Sequence, residues 1–147
     1  MADSEIKATI NFIYQSCNDV PAMRHFYGEL IGMRETSYRE GPEGWLVYQC
    51  AGFQFMIFPA GYELPVAQGW GMQPGWEGGD REYLSWSLVV PVEDFASTVR
   101  CLIDDGVECF HPAPRWCQDS YWSFPVRDPM GNTVELSCAD EDAWDAD

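Results

Sequence analysis

A weak internal repeat constrains this chain more than any other feature. Residues 8–15 are rich in β-formers and predict a short strand. Asp19 then stands where a helix cap is wanted. Pro21 falls in the first turn, where a missing amide hydrogen costs little. Met23, Phe26, Tyr27 and Leu30 recur at helical spacing, and Gly32 suits the stop. Strands are predicted at 34–39, 45–50 and 53–58, separated by Gly-containing turns. The order then returns. Residues 83–91 predict a strand and Asp94 a second cap. Phe95, Val99, Leu102 and Ile103 form a helix face, and Gly106 a stop. Strands follow at 107–110, 120–127 and 132–138. A short sheet with one apolar face needs a cover, and its twin can supply it. The fold class is therefore α+β, with paired βαβββ modules at 8–58 and 83–138.

Residues 59–82 break the pattern. They are Gly- and Pro-punctuated and lack a regular period, so they predict a linker folded over the sheet or a lid. Trp70 and Trp76 need somewhere to pack. Residues 139–147 form an acidic tail expected to fray.

Charge excludes whole classes of function. The chain carries 8 Lys+Arg against 24 Asp+Glu, a formal charge of −16 over 147 residues. Nucleic acid binding needs a basic footprint, and anionic membranes repel such a surface. At 46% hydrophobic and 15% aromatic residues, the chain can still order a core. No apolar run is long enough to span a bilayer, and the first residues lack a secretion signal. A cytoplasmic location is expected, with the six cysteines as thiols, since none has a C-x-x-C spacing.

Two segments carry a family resemblance. The first is Asp19 through Met33, especially Phe26-Tyr27-Gly28-Glu29-Leu30-Ile31-Gly32-Met33, with Ile31 where Leu is usual. The second is Asp128-Pro129-Met130-Gly131-Asn132 followed by Glu135-Leu136. Asp94-Phe95-Ala96 and Asp105-Gly106-Val107 match the second helix. These segments resemble the vicinal-oxygen-chelate superfamily: glyoxalase-like lyases, extradiol dioxygenases, fosfomycin-resistance enzymes and bleomycin-binding proteins. The resemblance covers nearly the whole chain outside the linker and the tail. It implies two modules around a curved mixed sheet. It also implies a homodimer with ligand clefts shared between chains.

Metal-dependent relatives place His or Gln on the first strand, His on the first strand of module two, and Glu on the last strand. Here those positions fall on Phe12, on Ser87 or its neighbour Trp86, and on Glu135, with Met56 at the matching place in module one. Only Glu135 is a good ligand for a divalent ion. Gln15 alternates to the other strand face and would need a bulge to join it. His25, on the first helix, and His111, beside Pro112, occupy none of these places. No metal or other cofactor is expected.

Strand alternation then sets the expected pocket: Phe12 and Tyr14, Gln54 and Met56, Ser85 and Ser87, and Glu135. Tyr62, Trp70 and Trp76 could supply a lid, and Trp116, Tyr121 and Trp122 a second wall. Ordinary core packing also explains many of these aromatics. Such a lining suits an amphipathic, cationic aromatic ligand paired with Glu135. The leading expectation is a metal-independent small-molecule binding protein. The alternative is a lyase, isomerase or dioxygenase with an atypical metal site, or with Glu135 as general base and Tyr14 or Ser87 holding the developing oxyanion. A structural partner protein would instead show a filled cavity and an exposed apolar patch.

Overall fold

The computed structural model describes residues 7–73 and 78–145. Module one contains β1 (Phe12–Cys17), α1 (Val20–Arg24) continuing as a π-helical turn (His25–Leu30), β2 (Arg34–Arg39), β3 (Trp45–Gln49) and β4 (Gln54–Pro59). Module two contains β5 (Trp86–Val89), α2 (Val92–Asp104), β6 (Arg115–Cys117), β7 (Tyr121–Arg127) and β8 (Thr133–Cys138). Each makes a four-stranded sheet, in the orders β1-β4-β3-β2 and β5-β8-β7-β6. In both sheets the first strand runs parallel to the last and the other pairs are antiparallel. These are the paired βαβββ modules the repeat predicts.

Asp19 caps the first helix as expected: its Oδ1 accepts from Ala22 N at 3.0 Å, with Pro21 in the first turn. The helix then widens. Ile31 N–H reaches back five residues to Phe26 O at 3.2 Å. The widening occurs at Gly28, where a Cβ would meet Tyr48 Oη at 2.7 Å. The Tyr48 hydroxyl comes close there and donates to Arg24 O at 3.4 Å. Gly32 leaves the helix at φ +88°, a conformation that suits glycine.

Several local expectations need correction. The second helix begins at Val92 after Pro91, and Asp94 lies within its first turn rather than capping it. Its buried side is Phe95, Thr98, Val99 and Leu102, while Ile103 faces solvent. Residues 107–110 form only a single bridge, Cys109 with Val126. The edge of the second sheet is β6 instead, a three-residue strand too short for a periodic signal. The first strand starts at Phe12 rather than residue 8, in register with Gln54 at the start of β4.

The acidic tail docks through its described residues. Glu141–Ala143 form a 3-10 turn capped by Asp140. Glu141 O accepts from Trp122 Nε1 at 2.9 Å, Ala143 is buried, and the Arg100 guanidinium sits 5.0 Å from the Trp144 ring. No helix among the described residues is long and apolar enough to cross a membrane.

One core serves both modules. It joins Met23, Phe26, Tyr27 and Phe55 of the first to Phe95, Phe124 and Leu136 of the second. Each sheet thus has a helix-facing apolar side and an opposite, open face, and in module two the linker narrows that face so that Ser123, Pro125, Thr133 and Glu135 on it are buried. The site residues are divided between them.

Candidate functional site

Alternation decides which side chains share a face. On β8, Val134, Leu136 and Cys138 enter the core. Thr133, Glu135 and Ser137 take the open face. On β7, Trp122, Phe124 and Val126 enter the core, so Ser123 and Pro125 take the open face. Ser87 of β5 is in register with Glu135 on one side, and Pro125 of β7 on the other. The strand pairing therefore brings hydroxyls to the carboxylate from two neighbouring strands.

Glu135 is 5% exposed. Ser87 Oγ donates to its Oε1 at 2.7 Å and Ser123 Oγ to its Oε2 at 2.5 Å. Ser137 Oγ lies 3.2 Å from Ser87 Oγ. Among the described residues no basic side chain forms an ion pair with Glu135. Arg127, on the same face of β7, is committed elsewhere. It pairs with Glu108 at 3.0 Å and donates to the carbonyls of Gly131 and Ala67. Burial of the Tyr121 ring, with Glu135 as a smaller cause, raises the Tyr121 hydroxyl above its ordinary pKa. A buried carboxylate held only by neutral hydroxyls is an acceptor without a countercharge, which is costly to maintain in isolation.

Ser87 also opens outward. It lines a groove of about 340 Å³ with Met33, Cys50, Phe53 and Val89. The walls are mainly apolar side chains; Ser87, whose hydroxyl donates to Glu135, is part of the lining, and Glu135 itself is not.

The linker is fastened to this face. Gly71 N donates to Thr133 Oγ1 at 2.6 Å, and Tyr83 Oη lies 3.3 Å from the same oxygen. Gln73 Nε2 donates to the Trp86 carbonyl at 3.3 Å, one residue before Ser87. Trp70 does not turn toward Glu135: it packs edge-on against Phe110 at 5.2 Å, with the Arg127 guanidinium 5.9 Å from its ring. Tyr62 is exposed. Trp76 lies outside the described residues.

The expected lining is only partly assembled. Phe12 and Tyr14 stack at 5.6 Å on the open face of module one, in register with Gln54 and Met56 of β4. Gln54 spends its amide on Gln49 Oε1 at 3.1 Å. Trp116 and Trp122 are corrections. Their rings meet at 5.4 Å, and Trp122 sits on the helix-facing side beneath the tail, opposite in direction to Ser123. They form no wall beside Glu135. Ser85 precedes β5 with the parity of Ser87. Gln15 faces away from Phe12 and Tyr14, and its Oε1 is buried without a hydrogen-bond partner. His25 is remote from the carboxylate and bridges Glu29 and Asp105.

Ser123 and Gln73 are the residues sequence reasoning missed. Ser123 could have been found from the antiparallel register of 120–127 with 132–138. Gln73 had no signal, because nothing in an aperiodic linker fixes its path.

The donor chemistry at this place does not fit a divalent ion. The positions matching the metal ligands of relatives carry a phenyl ring, a thioether, a hydroxyl and one carboxylate. Both oxygens of that carboxylate already accept from serine. Among the described residues, no three His, Cys, Asp or Glu side chains converge on a point.

Two modules with parallel-closing four-stranded sheets, joined through one core and carrying a strand carboxylate on an open face, define the glyoxalase-like class of folds. The family model for the Glyoxalase/Bleomycin resistance protein/Dioxygenase superfamily matches residues 9–136, and the chain belongs to that family. Among similar solved structures is a glyoxalase/dioxygenase from Nostoc punctiforme. It is 18% identical with a TM-score of 0.66, over 95% of this chain and 100% of that one. A glyoxalase family protein from Bacillus anthracis is 20% identical with a TM-score of 0.59, over 92% and 98%. The fosfomycin resistance protein FosX from Listeria monocytogenes was solved with Mn(II) and 1S,2S-dihydroxypropylphosphonic acid. It is 15% identical with a TM-score of 0.62, over 95% of each chain. At these identities the likeness is one of fold. No curated protein sequence matches the chain.

Proposed function

We propose that this chain acts on a small organic molecule held against the open face of module two, with Glu135 as its polar anchor. The observation that carries the reading is the 5%-exposed Glu135 carboxylate, which accepts from Ser87 and Ser123 and has no cation among the described residues. A ligand arriving along the Ser87 groove would supply the missing donor. The direct test is calorimetric titration with small aromatic amines at fixed salt, comparing the natural chain with Glu135→Gln. Equal affinities across that pair would overturn the assignment.

The comparisons favour catalysis over passive binding, since similar structures carry the names glyoxalase, glyoxalase/dioxygenase and fosfomycin resistance protein. In the enzymatic reading Glu135 is a general base that removes a proton from the bound molecule. Ser87, whose one proton goes to Glu135 in the free chain, would turn it to the developing oxyanion as Glu135 becomes protonated. The base must lie within hydrogen-bond reach of the proton it takes. The test is deuterium incorporation into α-hydroxyketones in D₂O, followed by proton NMR. Exchange lost about 100-fold in Glu135→Gln supports the base role, because positioned proton transfer contributes roughly 10²–10⁴-fold. Ligand binding without exchange supports instead a metal-independent binding protein for amphipathic, cationic aromatic molecules.

The same reading includes a homodimer. β1 and β5 are both sheet edges, and they leave Tyr14 62% and Val89 82% exposed. Unpaired edges with apolar side chains are surfaces that a second copy can cover. Light scattering at micromolar concentration tests it.

A further inference from the structure

We propose that Gln73, on the linker, is a second ligand anchor, and that the site selects cations presenting at least two N–H donors, such as an amidinium. This inference rests on the Glu135 site reading above. The linker is held to module two at two fixed points, on β8 and β5. Gly71 N is bound to Thr133, which shares a strand face with Glu135 two residues away. The Gln73 amide is bound to the carbonyl of Trp86, the residue before Ser87. That bond uses the nitrogen end of the carboxamide and so fixes which way the group points. Its other end, Oε1, is buried and has no hydrogen-bond partner. A flip would set one carbonyl oxygen against another, so the network itself determines the orientation.

The acceptors here are therefore in surplus. Glu135 offers two oxygens, and the Ser87 and Ser123 hydroxyls direct their protons into that carboxylate, leaving only lone pairs for a ligand. Gln73 adds an unmet carbonyl. An anionic group would face the Glu135 charge with the Tyr121 hydroxyl as the one uncommitted donor, among the described residues, in its electrostatic reach, and a single neutral hydroxyl would leave part of the patch unsatisfied. A planar amidinium has N–H groups on two nitrogens, a fork able to meet a carboxylate and a carbonyl together, with charge to offset Glu135. Binding such a cation would also tie residues 71–73 more firmly to β5 and β8, making the linker part of the recognition surface.

The experiment titrates the full chain with benzamidinium and with neutral benzamide, following tryptophan fluorescence and calorimetry. The natural chain is expected to prefer benzamidinium. Gln73→Leu should weaken that cation about three- to tenfold, the worth of one hydrogen bond. Gln73→Met, which keeps the length of the side chain but has no carbonyl, should weaken it to the same extent. If Gln73→Leu does not fold, the Gln73→Met result decides alone, and unchanged binding there overturns the inference. Unchanged affinity in Gln73→Leu, with a loss in Glu135→Gln, overturns the role of Gln73 and leaves the Glu135 site standing. No preference of the folded natural chain for the cation overturns the selectivity and the cationic form of the site reading together.

Discussion

The Tyr27 hydroxyl donates a 2.6 Å hydrogen bond to Asp128 Oδ2, joining the first helix of module one to the β7–β8 turn of module two. Tyr27 is fully buried, and burial, followed by the Asp128 charge, holds its hydroxyl well above the ordinary phenol pKa. The hydroxyl thus keeps its proton near neutral pH and donates it to Asp128. Asp128 also accepts from Met130 N at 2.8 Å and Asn132 N at 3.0 Å, which shapes the Asp-Pro-Met-Gly-Asn turn. The motif residues thus set the start of β8, and with it the position of Glu135.

Tyr27→Phe removes one donor from a buried carboxylate that keeps its other partners. The expected loss is about 1.5–3 kcal/mol, the range for hydrogen bonds to charged groups. Asp128→Ala strips every partner at once and should cost more. Urea unfolding of both single variants and the double variant checks this. A double variant whose loss equals the sum of the singles would show the two residues to be uncoupled.

His25 carries a pH dependence whose sign is fixed by geometry. Its Nδ1 lies 2.9 Å from Glu29 Oε2 and its Nε2 lies 3.1 Å from Asp105 Oδ1. Only the imidazolium can donate at both nitrogens. The hydrogen bonds to Glu29 and then Asp105 raise its pKa above the ordinary 6.5. A raised folded pKa gives stability that is fully present below the unfolded value and lost as pH rises through the folded one. Stability of the natural chain should therefore fall across that window, and His25→Gln should flatten the fall. Chemical unfolding at a series of pH values measures it, and parallel curves for the two chains would refute the bridge.

Gly28 and Tyr48 make a steric pair. A Cβ at 28 would lie 2.7 Å from the Tyr48 hydroxyl oxygen but 3.6 Å from the ring carbon that bears it. Gly28→Ala should destabilise by about 1–3 kcal/mol, as overpacking does. In a Tyr48→Phe background the same change should cost much less, because the offending atom is gone. Thermal melts of the four chains test the pair, and an equal penalty in both backgrounds would place the strain elsewhere.

How much of this was readable in the sequence follows from what each signal depends on. Asp19, Pro21 and the Met23-Phe26-Tyr27-Leu30 spacing are local, and each acts as expected. Asp94 misled because a cap and a first-turn acid look alike along the chain, and Pro91 sets the start instead. Glu135 was legible as a polar residue on a strand face, since alternation is a property of the strand itself. Its partners depend on pairing across strands. Ser87 was placed on the right face by the repeat, whereas Ser123 needed the β7–β8 register. Trp122 failed for the same reason: one residue of parity puts it on the core side. The tail was read as fraying from its charge, yet docking depends on the Trp122 indole waiting for the Glu141 carbonyl. Truncation after residue 139 should therefore cost about 1–3 kcal/mol, from one lost hydrogen bond plus newly exposed apolar surface. Urea unfolding reports it, and an unchanged midpoint would show the tail to be dispensable.

The two serines that hold Glu135 should differ in their worth. Ser123 is buried, and its hydroxyl meets Oε2 at 2.5 Å. When Ser123→Ala removes that donor, no water replaces it without opening the sheet, so one buried carboxylate oxygen is left unmet. The expected loss is about 1–3 kcal/mol near neutral pH. Ser87 meets Oε1 at 2.7 Å but is exposed toward the groove, so water takes the place of its hydroxyl in Ser87→Ala. That change should cost less than 1 kcal/mol or so, in line with surface substitutions. Binding should show the opposite order. Ser87 stands between the groove and the carboxylate, so its removal alters what an entering ligand meets, whereas Ser123 acts from behind. Urea midpoints and benzamidinium titrations on the same two variants separate these roles. Equal stability losses would mean that water reaches both sides of Glu135, and the buried, charge-hungry character assigned to the site would then be wrong.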